Sequence, residues 1–529
     1  MLAKAVSIGL VAVGVASGFS RTLATTAQPR PEPFIPVAVQ YAARAGANRD
    51  TLLRDLQSIR AMAFNAIETT VRWADAEPFR GKYAFDGLDR VLDAAAQSGL
   101  RAIVRVDNTP PEWVLRRYSD GRRLPENRQK EDAQSGAQVC FDHPGIREDL
   151  RAFNAAASSH ASRSPAVFAL DLLGDPPNGF CTCPYTARRV QALAAKGITA
   201  RDDFLRMSIR DDLTLLVDTA RGARSVSHAR TPAILRTSTG DPPQDDWLMS
   251  RVVDHYGPTL SSSLLGPDRF ALVLDSMAGA GRQRGWWMRA DASIPTSARR
   301  FAGWAAISRG ARMLSYADAP ARGTFEGVIT RNASLFDQLK PVAARTALLY
   351  DPHDAGTIAK AHAALFHQNI PVDVVHVEEI AQLATLGAYR ALVVSSNLPL
   401  PSDATDALTR FAANGGTIVN ATESSLSADR IVRLVRLAGV APAVAIDGGS
   451  MIETRFLESR DVLMLVALNY SDAPQKVSMT FSPDTQEAIW QNMEMATGVN
   501  FVAGPNGPTY AYWFAPKDVL VLMIRKYIR

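Results

Sequence analysis

Cysteine is scarce in this chain. There are three in 529 residues, Cys140, Cys181 and Cys183, and none follows Cys183. So few exclude a fold held together by a disulfide framework, and an odd number leaves one thiol over in any pairing. Long apolar runs are also missing. Nothing after the first 27 residues approaches the roughly 20 apolar residues needed to cross a bilayer. Blocks of basic charge are absent too. The formal charge is +5, and removing residues 1–27 takes away Lys4 and Arg21 and no acid, leaving +3. A surplus that small, spread along the chain, gives no electrostatic footprint for nucleic acid.

What is present begins with an export signal. Lys4 supplies a positive end, Ala5 to Phe19 an apolar stretch, and Thr25-Thr26-Ala27 or Ala16-Ser17-Gly18 a small-residue cleavage site. The expected location is secreted or periplasmic, with no membrane span after processing. A length of 529 residues exceeds one core. After the Pro-rich residues 28–33, β-branched runs recur at Ile35–Tyr41, Ala66–Trp73, Ala102–Val106, Val167–Leu173, Ala233–Thr237, Val252–Tyr256, Phe270–Leu274 and Ala311–Tyr316. Segments of helical spacing such as Thr51–Met62 and Leu88–Ala96 lie between them. Eight strands alternating with helices over residues 34–340 fit an α/β protein built on a (β/α)8 barrel. Over 341–445 strands and helices alternate again, as in a small open doubly wound sheet. From 446 to 529 the helical period disappears, and alternating segments such as Leu463–Tyr470 and Val477–Phe481 predict a compact antiparallel β domain.

A barrel carries its chemistry on the loops after its strands. Two carboxylates stand there: Asp175, after the fourth expected strand, and Asp275, after the seventh. Glycoside hydrolysis needs such a pair, one acid and one nucleophile or base. Aromatic residues at the same ends, Trp73, Trp113, Tyr256, Trp286 and Trp287, predict platforms for the apolar face of a sugar.

These residues also carry a resemblance. Val71-Arg72-Trp73-Ala74-Asp75-Ala76-Glu77-Pro78, then Gly81-Lys82-Tyr83-Ala84-Phe85 and Leu88-Asp89, resembles a segment of family-42 glycoside hydrolases, the bacterial β-galactosidases. Pro110-Pro111-Glu112-Trp113, Cys140 with Pro144, Asp171–Pro176 and Asp254–Pro258 resemble further segments of the same family. The resemblance implies a flavodoxin-like domain and a small β domain after the barrel, a homotrimer, and a carbohydrate substrate. It implies Asp175 as acid/base and Asp275 as nucleophile or base, with Arg72, Trp73, Glu77, Trp113, Tyr256, Trp286 and Trp287 around the sugar. No organic cofactor is implied. Some relatives bind zinc through four cysteines; Cys140, Cys181 and Cys183 match three, and Thr186 stands at the fourth. In an exported protein a disulfide from Cys140 to Cys181 or Cys183 is the competing expectation. The flavodoxin-like domain also resembles glutamine amidotransferases, whose nucleophile is a cysteine; with none after Cys183, that chemistry is excluded.

The chain departs from the pattern at the reacting centre. Glycine stands at position 174 where the family has asparagine, and both expected glutamates are aspartates. Each Glu-to-Asp change withdraws a carboxyl by about 1.5 Å. A retaining pair sits about 5–5.5 Å apart and an inverting pair about 6.5–9.5 Å. Retention, inversion, and glycan binding without cleavage are therefore all open on the sequence.

Overall fold

The computed structural model describes residues 34–124, 139–173, 181–224, 233–238, 245–319, 324–380, 386–395, 400–421, 427–482 and 490–525. Eight parallel strands close a barrel in sequential order. They are β1 Val37–Gln40, β2 Ala66–Arg72, β3 Arg101–Asp107, β4 Val167–Leu173, β5 Ala233–Ser238, β6 His255–Leu260, β7 Met288–Ala290 and β8 Leu314–Tyr316. β8 pairs with β1 through Val37 and Leu314, so no edge is left open.

Alternation along each strand sorts the side chains into inward and outward sets. Ala38, Ala66, Ile103, Ala169, Leu235, Trp287 and Met313 form one apolar cluster that fills the lower barrel. Their neighbours face outward, among them Val39, Ile67, Val104 and Leu170, which join the helices in the main core. Trp287 fits because β6 carries glycine beside it: a Cβ on Gly257 would lie 1.7 Å from the Trp287 carbonyl oxygen.

The seventh strand is not where the apolar run Phe270–Leu274 predicts it. That run lies inside a helix, Pro267–Ala280, and β7 is the three-residue segment Met288–Ala290. A short apolar run fits a buried strand and a buried helix equally well. Here Pro267 occupies the first helical turn and Gly281 caps the end. Phe270, Ala271, Leu274 and Met277 are all buried, at helical spacing. β6 is also displaced, starting at His255 rather than Val252.

Beyond the barrel, Val372–His376, Thr346–Tyr350, Ala391–Ser395 and Thr417–Ala421 form a parallel sheet in that spatial order. Two apolar clusters cover its faces. The last segment forms antiparallel ladders, notably Ile452–Glu458 with Val462–Asn469 and the latter with Val519–Arg525. Lys340-Pro341, directly after the barrel, adds to the edge of this sheet. No helix among the described residues is long and apolar enough to cross a membrane.

Candidate active site

Two residues above the apolar layer, the inward positions turn polar. They are Gln40, Glu68, Arg105, Asp171, Arg289 and Ser315, on six of the eight strands. Glu68 is fully buried and organises the layer. Its carboxylate pairs with Arg289 Nε at 3.1 Å and Arg105 Nη1 at 3.6 Å, and accepts from Ser315 Oγ at 2.6 Å. Arg289 also reaches Gln40 Oε1 at 3.4 Å. A buried charge survives only when paired and hydrogen-bonded, so this floor is tied together across the barrel.

Above the floor, the ends of β1 and β2 border a cleft. Thr70 and Arg72, the next inward positions of β2, are exposed. They line a cleft of about 510 Å³ with Gln40, Tyr41, Arg44, Asp75 and Arg90. Burial, then the neighbouring Asp55, pushes the Tyr41 hydroxyl up to about 12, so it stays protonated and donates to Asp55 at 3.2 Å. Two aspartates close their strands at this mouth. Asp107 ends β3, and its Oδ1 accepts from Thr109 N and Oγ1 at 2.8 and 2.6 Å. Asp291 follows β7 directly; its amide donates to Leu260 of β6, and its Oδ1 accepts from Ser293 N and Oγ at 2.8 and 2.6 Å.

Of the residues singled out in the sequence, Arg72 alone among those described lines this cleft, held to Asp75 at 2.6 Å. Asp175, with Gly174, lies outside the described residues. Asp275 does not stand at a strand end. It sits in the third turn of helix Pro267–Ala280, 3% exposed, locked among Arg309 Nε (2.7 Å), Arg455 Nη2 (2.8 Å) and His362 Nε2 (2.9 Å). Burial alone would raise its pKa, but Arg309 and Arg455 hold it well below the usual carboxylate range. Arg309 and Arg455 also grip Glu453 of the β domain, which accepts from Tyr470. Asp275 is thus a structural ion joining three parts of the chain, and its assignment as nucleophile is corrected.

The expected sugar platforms are packing residues. Trp73 is fully buried, stacked on Phe153 at 5.7 Å, and donates to Glu77 Oε2 at 2.6 Å. Glu77 is 2% exposed and accepts from Gly81 N at 2.6 Å with its other oxygen, while Trp113 Nε1 donates to its carbonyl at 2.8 Å. The Trp73–Glu77–Trp113 motif therefore braces the loop after β2 and turns no ring face to the cleft. Tyr256 is buried on Asp246, Trp286 donates to the Arg309 carbonyl, and Trp287 belongs to the lower barrel layer.

Gln40, Thr70, Arg44, Arg90 and Asp291 were missed by sequence reasoning. The signal for the first four was their place after or near correctly read strands; Asp291 was hidden by the misplaced seventh strand.

The three cysteines come together. Their sulfurs lie within 4.8 Å of one another, with Cys183 Sγ 3.3 Å from Cys140 Sγ, and all three are thiols rather than the expected disulfide. Hydrogen bonding from Cys140 brings the Cys181 thiol down to about 5 and pushes Cys140 up. That spacing suits three sulfur ligands on one zinc ion, since tetrahedral Zn–S bonds of about 2.3 Å separate the sulfurs by under 4 Å. The fourth corner is Thr186, whose hydroxyl is 3.3 Å from Cys140 Sγ and donates to Asp142. A neutral hydroxyl is not a structural zinc ligand, so the set is one donor short.

Comparison with known proteins agrees with this architecture. A sequence profile for glycoside hydrolase family 42, described as β-galactosidase, matches residues 43–192. β-Galactosidase BglY of Alicyclobacillus acidocaldarius is 23% identical over 137 residues, covering 26% of this chain and 20% of that enzyme. β-Galactosidase BgaA of a Thermus species is 33% identical over 82 residues, 15% of this chain and 12% of its own. The aligned part thus spans a fifth or less of these relatives. Structural likeness is far wider: Gan42B, a family-42 β-galactosidase from G. stearothermophilus, superposes with a TM-score of 0.75 at 13% identity, covering 93% of this chain and 98% of that one. From the loop after β1 to the Cys140–Cys183 cluster in sequence, and across nearly the whole described chain in fold, this protein is like the family-42 β-galactosidases.

Proposed function

We propose that the chain is an exported glycosidase of the β-galactosidase type, acting on β-linked glycans at the mouth of the barrel. The observation that supports this reading is a cleft beside β1 and β2 that meets a charge-paired barrel floor at Gln40, with Asp291 directly after β7. Asp175, two residues beyond the end of β4 in sequence, is assigned as acid/base, and Asp291 replaces Asp275 as nucleophile or base. The test is turnover of a panel of β-glycosides and β-linked oligosaccharides. Asp175→Asn and Asp291→Asn each lower kcat by at least about 100-fold, in line with loss of a positioned proton donor or nucleophile. Unchanged turnover in both would sink the assignment. The anomer of the first product, followed by NMR, distinguishes retention from inversion.

A specific observation favours a second reading, binding without cleavage. The inward residue of β7 is Arg289, a cation committed to Glu68, where a nucleophilic acid would otherwise project. Wild type and Asp291→Asn would then bind the same glycans with equal affinity and turn over none. Export is tested by fractionation and by the N-terminus of the mature chain, expected near residue 28. Self-association as a trimer through the flavodoxin-like segment is tested by light scattering.

A further inference from the structure

We propose that the glycan this mouth accepts is anionic, a β-linked chain carrying uronate carboxylates, with its acid groups on the Arg44–Arg90 side of the cleft. The inference rests on the glycosidase reading and adds the substrate class to it.

Three cations and one anion line the cleft: Arg44, Arg72 and Arg90 against Asp75. Arg72 is spent on Asp75, at 2.6 Å. Arg44, on the loop after β1, and Arg90, on helix Asp86–Gln97, are exposed and have no ion-pair partner among the described residues. Two guanidinium groups without an ion pair thus line the cleft, one from the loop after β1 and one from the helix, and each has a planar fork that matches a carboxylate. The cleft is continuous with the barrel floor, because Gln40 both lines it and accepts from Arg289. A sugar seated over the floor would therefore place its neighbour along the chain beside these arginines. Of the candidate tryptophans, Trp73, Trp286 and Trp287 are buried in packing and Trp113 is half-buried against Trp73; the rings that line the cleft are the half-buried Tyr41 and Phe85. The two arginines add charge beside them.

The experiment is calorimetric titration of the full chain with three probes: a short β-linked oligouronate, the same oligosaccharide with its carboxyls reduced to alcohols, and inorganic phosphate. The oligouronate is expected to bind at least about tenfold tighter than its reduced form, with affinity falling as salt is raised. Arg44→Gln with Arg90→Gln is expected to erase that preference, leaving the reduced sugar unaffected, while Arg44→Lys with Arg90→Lys keeps most of it. Both positions are exposed, and an unchanged melting temperature confirms that the variants fold. Equal binding of acidic and reduced sugars, or an oligouronate preference untouched by the double Gln variant, overturns the inference alone. Phosphate displacing the oligouronate in proportion to its charge also overturns it, since the cleft would then be a general anion surface. Binding of neither sugar overturns the glycosidase reading beneath it.

Discussion

Replacing Asp275 by asparagine separates a structural ion from a catalytic one. The wild-type carboxylate receives Arg309 Nε at 2.7 Å, Arg455 Nη2 at 2.8 Å on both oxygens, and His362 Nε2 at 2.9 Å, all in the dry interior. Arg309 comes from the barrel, His362 from the helix Ala355–Phe366, and Arg455 from the strand Ile452–Glu458. Asparagine keeps the shape but leaves two buried guanidinium groups facing the single charge of Glu453. Breaking a buried pair from one side costs about 3–5 kcal/mol, a fifth or more of a typical total stability of about 5–15 kcal/mol. Urea unfolding, followed by tryptophan fluorescence, should show this loss as an early transition in Asp275→Asn. Turnover or glycan binding measured well below that transition should stay within about twofold of wild type. The pH dependence has a definite sign. The folded carboxyl is held well below its unfolded value, so its stabilisation is complete above about pH 4 and is lost only as pH falls through the folded value. The difference between wild type and variant should therefore be flat from about pH 5 to 8. A drop of about 100-fold in turnover at unchanged urea stability would refute the reasoning and return Asp275 to the reacting centre.

Glu77→Gln turns an amide N–H₂ toward one of two donors, the buried Trp73 Nε1 or the partly buried Gly81 N. It should cost about 1–3 kcal/mol in denaturation while leaving glycan affinity unchanged; lost affinity at full stability would make Glu77 a ligand to sugar. His376 is neutral in the fold, brought down to about 4 by burial, and stacks on Trp247 at 4.4 Å. The unfolded chain protonates near pH 6.5, so stability falls by about 3 kcal/mol on acidification to pH 4. His376→Phe, which keeps the stacking, should remove that part of the acid slope; an identical pH profile would show that His376 does not titrate as described. Thr186→Cys supplies the missing fourth sulfur beside Cys140 and Cys183. Zinc retention against a competing chelator should then rise by at least about 100-fold, and equal retention in both proteins would show that position 186 is not the fourth corner.

The architecture and most of the barrel strands were legible in the sequence. The barrel was legible because most of its strands stand out as apolar, β-branched runs between segments of helical spacing, and local periodicity is read without knowing what packs on what. β4 was read to the residue, and β2, β3 and β5 to within two residues. The roles of individual residues were decided only by tertiary structure. Phe270–Leu274 can be a strand or a helix until its surroundings choose, and the helix buries Phe270, Leu274 and Met277 on one side and Asp275 among partners as distant in sequence as Arg455. Trp73, Glu77 and Trp113 were expected around the sugar, but a motif does not say which way its residues face; the fold ties them to one another as a brace. An ion pair between residues 180 positions apart, or an arginine at the centre of a three-residue strand, leaves no local pattern to read. Whether a side chain meets water, sugar or another charge depends on closing the barrel, and that is a property of the whole chain.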